Sequence, residues 1–244
     1  RDILRRSNIG AIFTNRSHAP TAAGSSQAYG VDAAFSFFQN LNINTFLART
    51  HTPELRGDDR SYRAQLEYNA DRYGLVMEDL LVGRNFNPET GYVRRKDIRR
   101  NMAEFRFSPR PASSSVVRKY EFAAGVDRYS RASDGSLETQ VVEATYGIEF
   151  ESSDRLDLSL TDNIEALTEP FEVFNGVEVP LGRYRFQNLN ASYNLGTQHK
   201  VSGSVSYEYG GFFGGTKHTV GFSRGRTEPI ANLFIEPGVS INWV

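Results

Sequence analysis

Alternation between apolar and polar residues constrains this chain more than any other feature of its sequence. In the segment from Lys200 to Gly210, the residues Val201, Val205, Tyr207 and Tyr209 alternate with serines and a glutamate. Successive side chains of a β-strand point to opposite faces, so a two-residue period separates the two sets. The segment therefore predicts a strand with one apolar and one polar face.

The same alternation recurs along the whole chain, whereas helical periodicity is almost absent. About a dozen segments show it, most of them about 9–12 residues long. Clear examples are residues 29–38, 61–69, 118–126, 137–150, 155–162 and 184–196. The sequence therefore predicts an all-β fold.

The connections between these segments alternate in length. Short polar turns are predicted at residues 39–42, 69–72, 151–155 and 196–200. Longer links, rich in glycine, proline and charge, are predicted at residues 15–27, 51–60, 83–97 and 165–183. Two connections, 108–117 and 131–136, depart from this rule. Short turns at one end and long loops at the other are typical of outer-membrane barrels, and predict an antiparallel up-and-down meander.

Composition narrows the function classes. Charged residues make up 23% of the chain, yet the formal net charge is only −1, so we expect no nucleic-acid partner. The chain has no cysteine, which excludes disulfides and thiolate metal sites. The four histidines, His18, His51, His199 and His218, lack the spacing of metal ligands. We therefore expect no metal, no cofactor and no catalytic residue.

The apolar faces have two possible partners, lipid or a protein core. No apolar run reaches the roughly 18 residues of a transmembrane helix, but the strands match the roughly 9–11 residues that cross a bilayer at a tilt. Tyrosines also lie towards strand ends, where interfacial girdles form. We therefore expect a transmembrane β-barrel of about 12–14 strands. A soluble β-meander, such as a lipocalin-like barrel or part of a propeller, remains the alternative.

The barrel interpretation assigns a face to particular residues. We expect Leu158, Tyr193 and Val205 to face lipid. We expect the charged side chains of the other face to line a wet lumen, where carboxylates and arginines of neighbouring strands can pair. These residues include Arg63, Glu67, Glu143 and Asp157.

Several segments also resemble a known family of bacterial proteins of unassigned function. The segments include SNIGAIFTNRS, GDDRSYRAQLEYNADRYGL, VGRNFNPETGYVRRKDIRR, FRFSPRP and GIEFESSDRLDLSLTDNIEAL. In that family an N-terminal β-sandwich, similar to family 9 carbohydrate-binding modules, precedes a C-terminal outer-membrane-type barrel. The resemblance spans essentially the whole chain and implies that residues 1–244 are one barrel region in the outer membrane of a Gram-negative bacterium. The chain opens without a methionine and stops within a strand pattern, so we expect it to be part of a longer protein.

The link from Gly83 to Asp97 is the best candidate for a ligand site. Pro88 and Gly91 favour turns. Phe86 and Tyr92 have the aromatic surface either to anchor the loop inward or to stack on sugars, and Arg94 and Arg95 suit an anionic solute. Packing or plugging by the loop, and contact with a solute, both stay open at this stage.

The expected function is that of a pore, or of a surface component that binds or takes up glycans or peptides. Its expected partners are the outer-membrane bilayer, such a solute and other outer-membrane or surface proteins. Two other classes stay open: an outer-membrane hydrolase with its site on the external loops, and a soluble binding module. For a hydrolase, Asp127, Asp134 and Glu138 are the carboxylates to consider, although ion-paired lumen carboxylates are the commoner case.

Overall fold

Sixteen β-strands make up most of the described chain. The computed structural model describes residues 6–17, 24–174, 176–230 and 233–244. The strands are β1 (Asn8–Arg16), β2 (Ser26–Phe37), β3 (Leu41–His51), β4 (Arg60–Asn69), β5 (Tyr73–Val82), β6 (Ile98–Phe107), β7 (Val117–Arg131), β8 (Leu137–Phe150), β9 (Arg155–Leu167), β10 (Phe171–Phe174), β11 (Val177–Val179), β12 (Gly182–Leu195), β13 (Val201–Phe212), β14 (Gly215–Ile230), β15 (Leu233–Ile235) and β16 (Val239–Trp243). The described residues include no helix that is long and apolar enough to cross a membrane.

The main sheet is an antiparallel meander. Its 14 strands follow the order β1-β2-β3-β4-β5-β6-β7-β8-β9-β12-β13-β14-β15, and β16 also pairs with β14. The all-β, up-and-down prediction is therefore confirmed. Among the described strands β1 pairs only with β2, so the sheet does not close on itself within this part of the chain.

Two compact units divide the chain. The first contains the described residues of Arg1–Ala70, Gly74–Glu104 and Val126–Thr139. The second contains those of Asp71–Tyr73, Phe105–Gly125 and Gln140–Val244.

Strand register separates apolar from polar side chains in the first unit. Val31 of β2 lies opposite Leu47 of β3, Leu47 opposite Tyr62 of β4, and Tyr62 opposite Leu81 of β5. The other face of the same strands is polar in its middle, where three residues lie side by side: Asn44, Gln65 and Glu78. The two faces of these strands therefore have opposite character.

One carboxylate departs from this separation. Asp79 lies opposite Ala64 on the apolar face. The Arg99 guanidinium donates to both of its oxygens at 3.1 Å, and the Tyr62 hydroxyl and the Asn101 amide donate at 3.1 and 3.0 Å. The charge on this face is thus neutralised by Arg99, and two uncharged donors add hydrogen bonds to the same carboxylate.

The second unit shows the same separation over five strands. One row consists of apolar residues and runs Leu158, Ala191, Tyr207, Val220, Ile241. The adjacent row on the other face consists of small and polar residues and runs Asp157, Ser192, Ser206, Gly221, Ser240. Tyr193 and Val205 are also paired, on the same face as Leu158. The sequence-based assignment of these three residues to one face is confirmed.

Exposure is inverted relative to that of an ordinary soluble strand. In β13, Val205 is 47% exposed and Tyr209 is 45% exposed, while Ser204, Ser206 and Glu208 are half-buried. In the first unit, Leu47 is 53% exposed and Glu78 only 6%. Apolar side chains are thus the accessible ones, and polar side chains lie on the more enclosed side.

The link between β9 and β12 holds a small hairpin that the sequence did not predict. Its strands β10 and β11 pair with each other in a separate two-stranded sheet. Phe171 of this hairpin packs on Phe213 with ring centroids 5.1 Å apart, and Phe213 packs on Phe186 at 5.4 Å. Phe186 shares the polar face of β12 with Ser192, so the hairpin folds towards the polar side of its own unit.

The close approach of β12 and β13 can be tested at Gly210, a glycine on the polar face. A Cβ added to Gly210 would lie 2.3 Å from the Gln187 carbonyl oxygen and 2.6 Å from Asn188 Cα. Gly210→Ala should therefore lower the free energy of unfolding by about 1–3 kcal/mol, measured by urea titration. Gly215→Ala is the matched control, because its nearest atom would be 3.4 Å away. Equal stability of the two variants would contradict the close approach of β12 and β13.

Candidate functional site

The loop from Gly83 to Asp97 begins with a close backbone contact. The Gly83 amide donates to the Arg60 carbonyl at 2.9 Å, and the Asn85 amide donates to the Asp58 carbonyl at 2.9 Å. A Cβ on residue 83 would lie only 2.1 Å from the Asp58 oxygen, so glycine is the residue that permits this approach. The Asn85 side chain also donates to the carbonyl of Arg56 at 3.0 Å. The start of the loop is thus fixed to the preceding link.

A buried threonine holds the next part of the loop. The Asn87 amide donates to the hydroxyl of Thr50, which is only 1% exposed, at 3.0 Å. The Asn87 side chain then donates to Glu89 at 2.8 Å, and Glu89 forms an ion pair with Arg16 of β1 at 3.1 Å. Side-chain contacts therefore connect the loop to β3 and β1.

An apolar cluster anchors the same stretch. Phe86 is 9% exposed and packs with the buried side chains of Val82 and Ile98, and Leu80 and Val93 pack against them. Leu80 and Val82 belong to the same face of β5 as Glu78, which is the polar face. The cluster therefore covers the loop end of that face, while the apolar face of these strands stays accessible.

The end of the loop is held by carboxylates. Asp97 accepts hydrogen bonds from the Ser133 hydroxyl at 2.7 Å and from the Ser133 amide at 2.9 Å. The Arg95 guanidinium forms an ion pair with Glu138, which also lies 3.7 Å from Arg131. The loop is thus fixed at both ends and in its first half, and residues 91–94 lie between the anchors.

All four residues that the sequence selected as ligand-binding line one cavity of about 740 Å³. Phe86 contributes to its apolar wall and anchors the loop. Tyr92 is 89% exposed, so it does not anchor the loop inward. Arg95 is held by Glu138, whereas Arg94 has no ion pair within the described part of the chain. Phe86 thus packs inside the cavity wall, whereas Tyr92 and Arg94 are accessible at its rim.

Sequence reasoning missed the strand residues of the cavity. Its remaining walls come from β3 to β7 and include Phe46, Leu80, Ile98, Arg100 and Tyr129. Their strands are readable from the two-residue period, but their proximity depends on long-range register. The sequence feature that could have pointed to one of them is the basic residue Arg100, which follows the loop closely.

A chain of ion pairs supports the cavity from the polar face. Glu78 has a side chain that is only 3% exposed and pairs with Arg63 at 2.5 Å and with Arg100 at 3.0 Å. Arg100 also pairs with Asp127 at 2.7 Å and lies over the ring of Tyr129, 5.3 Å from its centroid. Each enclosed charge therefore has a partner of opposite sign, which such enclosure requires.

The three carboxylates considered for acid–base chemistry all form ion pairs. Asp127 pairs with Arg100 at 2.7 Å, Asp134 with Arg131 at 3.4 Å, and Glu138 with Arg95. Hydrogen bonds from Ser136, together with Arg131, hold the pKa of Asp134 below its usual value. Each of these three carboxylates therefore serves as the partner of an arginine in the fold.

Histidines and acidic residues of the described chain do not cluster as a metal site would require. Among the described residues no group of three or more His, Asp or Glu side chains could hold a metal ion. His18 lies outside the described residues.

A buried carboxylate joins two short turns of the second unit. Asp154 accepts a hydrogen bond from the Gly196 amide at 2.8 Å and one from Tyr193 at 3.3 Å, and the Nε2 of His199 lies 2.8 Å from it. The Gly196 amide, with Ser152 and His199, lowers the pKa of Asp154 to about 2. These contacts of Asp154 connect the turn at 151–154 to the turn at 196–200, and together they form the Asp154 clasp.

Comparison with known proteins gives no match for this chain. No family model fits it, and neither a curated protein nor a solved structure is significantly similar to it.

Two aromatic residues of the loop provide a matched test of its anchoring. Phe86→Ala should remove about 3 kcal/mol or more of packing, as large-to-small changes of buried phenylalanine do. Tryptic cleavage after Arg94 and Arg95 should then accelerate by about a hundredfold, since each 1.4 kcal/mol is tenfold. Tyr92→Ala should leave the rate near that of the wild type. Limited proteolysis read by mass spectrometry compares them, and equal rates in both variants would contradict the anchoring role of Phe86.

The Asp154 clasp predicts a loss of stability in acid. Its pKa is about 2 in the folded chain, below the value of about 3.9 for an unfolded chain. The stabilisation is therefore complete above pH of about 4 and disappears as the pH falls towards about 2, because the unfolded chain binds the proton first. Asp154→Asn should be less stable at neutral pH and lose less stability across this window, measured by urea unfolding. The exposed Glu169→Gln should follow the wild type; identical pH profiles for Asp154→Asn and wild type would refute the clasp.

Proposed function

We propose that this chain is a barrel region of a Gram-negative outer-membrane protein that serves as a pore or as a surface component for solute binding and uptake. In this proposal the main sheet closes into a transmembrane β-barrel, and the chain belongs to the family in which such a barrel follows a carbohydrate-binding-like module. Its partners are the lipid bilayer, a glycan or peptide solute and other surface proteins.

The inverted exposure of the strands carries the proposal. In water, exposed apolar side chains cost free energy, at roughly 25 cal/mol for each Å² left accessible. Here they lie side by side on neighbouring strands, as Tyr207, Val220 and Ile241 do, which are 44%, 41% and 49% exposed. Hydrocarbon as the surrounding solvent removes this cost, and an alternating strand with its apolar face outward is the signature of a membrane barrel.

An aromatic row in the second unit supports the same proposal. The rings of Tyr73 and Phe107 are 5.3 Å apart, those of Phe107 and Phe122 are 6.3 Å apart, and those of Phe122 and Tyr146 are 5.2 Å apart. Arg72 lies over Phe107, 5.5 Å from its centroid. Tyr73 begins β5 and Phe107 ends β6, so the row lies close to the turns. Aromatic and basic residues at this level suit a girdle at the membrane–water interface.

The polar side has the character that a solute path requires. It is enclosed by ion-paired side chains such as Glu78 and Arg100, and the loop from Gly83 to Asp97 folds onto it in the first unit. Recognition at a loop carried on a rigid sheet is common. The cavity beneath the loop is therefore the proposed place of solute contact.

The other function classes fit these contacts less well. A soluble binding module would bury its apolar face, yet Val31 and Leu47 are each 53% exposed. A hydrolase would require carboxylates available for proton transfer, whereas Asp127 and Glu138 are held by arginines.

Two adjacent residues of β13 test the membrane proposal. Val205 and Ser206 lie at the same level on opposite faces. Val205→Arg should destabilise the protein by about 2–4 kcal/mol in lipid vesicles, whereas an arginine on the lumen side is tolerated. Ser206→Arg is that control, because its cross-strand neighbours Ser192 and Gly221 are small. Urea unfolding in vesicles gives the comparison.

The same preparation tests whether lipid is needed at all. The wild-type chain should fold only in detergent or lipid, and should migrate faster on a gel before boiling than after it. A monodisperse, natively folded sample without detergent, or equal costs of the two arginine variants, would overturn the membrane proposal.

A further inference from the structure

The cavity under the Gly83–Asp97 loop is rich in hydrogen-bond donors. Three arginines line it, Arg94, Arg95 and Arg100, and none of its described lining residues is an aspartate or glutamate. A guanidinium donates hydrogen bonds and accepts none. The polar part of the cavity is therefore suited to a group that only accepts, such as a carboxylate.

The three arginines differ in how far their charge is already balanced. Glu138 pairs with Arg95, and Glu78 and Asp127 pair with Arg100, each from outside the cavity lining. Arg94 is exposed and has no ion pair within the described part of the chain. Arg94 is thus the guanidinium with free capacity, and the other two are held in place by their carboxylates.

The rest of the lining is largely apolar. Leu80, Val82, Phe86 and Ile98 contribute aliphatic and aromatic surface, and Phe86 and Ile98 are held by their mutual packing. The volume of about 740 Å³ is within the usual range of small-molecule sites. A ligand that fills it therefore needs an apolar body as well as an acceptor group.

A neutral sugar matches this lining poorly. Its hydroxyl groups both donate and accept, so a sugar site supplies acceptors such as carboxylates and amides beside its aromatic surface. Among the described lining residues, the side-chain oxygens are the hydroxyls of Ser61, Tyr92 and Tyr129, and Ser61 already donates to the Leu81 carbonyl. Donor groups thus dominate, and unpaired sugar hydroxyls would lose their bonds to water.

We infer that the cavity binds an organic acid in which one carboxylate is joined to an apolar body. The carboxylate binds Arg94, with Arg95 and Arg100 beside it, and the apolar body lies against Leu80, Val82 and Phe86. This inference rests on the proposed function and narrows it: the solute met at the loop end of the proposed barrel is an organic acid and not a neutral glycan.

The test is a titration with three probes. The folded chain in a neutral detergent is titrated by calorimetry with phenylbutyrate, with its neutral counterpart phenylbutanol, and with the neutral sugar cellobiose. A bound charged hydrogen bond should favour the acid over the alcohol by about tenfold or more. Cellobiose should show no saturable binding.

Two arginine variants identify the group responsible. Arg94→Gln should remove the preference for the acid and leave the weaker binding of the alcohol unchanged. Arg56→Gln is the matched control, because Arg56 is an exposed arginine of the same unit outside the cavity. The unheated gel mobility of each variant checks that it is folded.

The outcomes separate this inference from the membrane proposal. Equal affinity for acid and alcohol, stronger binding of cellobiose, no binding by a folded sample, or a preference that survives in Arg94→Gln would each overturn it. If the chain folds without detergent, the membrane proposal fails, and the same titration in buffer still decides the ligand class.

Discussion

The accessibility of the apolar face is the constraint on which the rest of this structure depends. Backbone hydrogen bonds to both neighbours satisfy the inner strands of the sheet, so its two faces are free to differ in character. One face presents rows such as Tyr207, Val220 and Ile241, and these side chains are 41–49% exposed. The loop from Gly83 to Asp97 in the first unit and the hairpin from Phe171 to Val179 in the second each fold towards the polar side of their own unit. Both connections thus leave the apolar rows uncovered.

Enclosing the polar side creates a need for ion pairs. A carboxylate as enclosed as Glu78 loses most of its contact with bulk water and is stable only with partners of opposite charge. Arg63 and Arg100 are the partners of Glu78, and Asp127 forms a further ion pair with Arg100. Arginine suits the role because its planar fork binds two carboxylates at once. This explains why a chain with almost no net charge contains so many arginines and carboxylates on its strands.

Sequence periodicity was sufficient to predict most strands and their faces, because both depend on neighbouring residues alone. It predicted that Arg63 lies on the polar face, yet it could not identify Glu78 as the partner. That contact depends on the register between β4 and β5, which is a long-range property. The hairpin β10–β11 was missed for a related reason: its strands are of 4 and 3 residues, too short to show a period.

The candidate site shows a similar division. The aromatic and basic residues of the loop could be selected from the sequence, because their types match a binding chemistry. Their orientation could not, since it depends on what each side chain meets in the fold. Phe86 packs against Val82 and Ile98 and is buried. Tyr92 has no such apolar cluster around it among the described residues and is 89% exposed.

The two roles left open for the loop, packing and solute contact, do not exclude each other: Phe86 is buried by packing, whereas Tyr92 and Arg94 are exposed at the same cavity. Gly83, Phe86 and Asn87 fix its first half to the sheet and to the preceding link, and Asp97 fixes its end. Residues between these anchors gain a defined position without being buried. A guanidinium held beside an apolar wall loses less freedom when it binds an anion than one on a free loop. For the proposed site, the packing that covers part of the polar side is therefore also what would position Arg94.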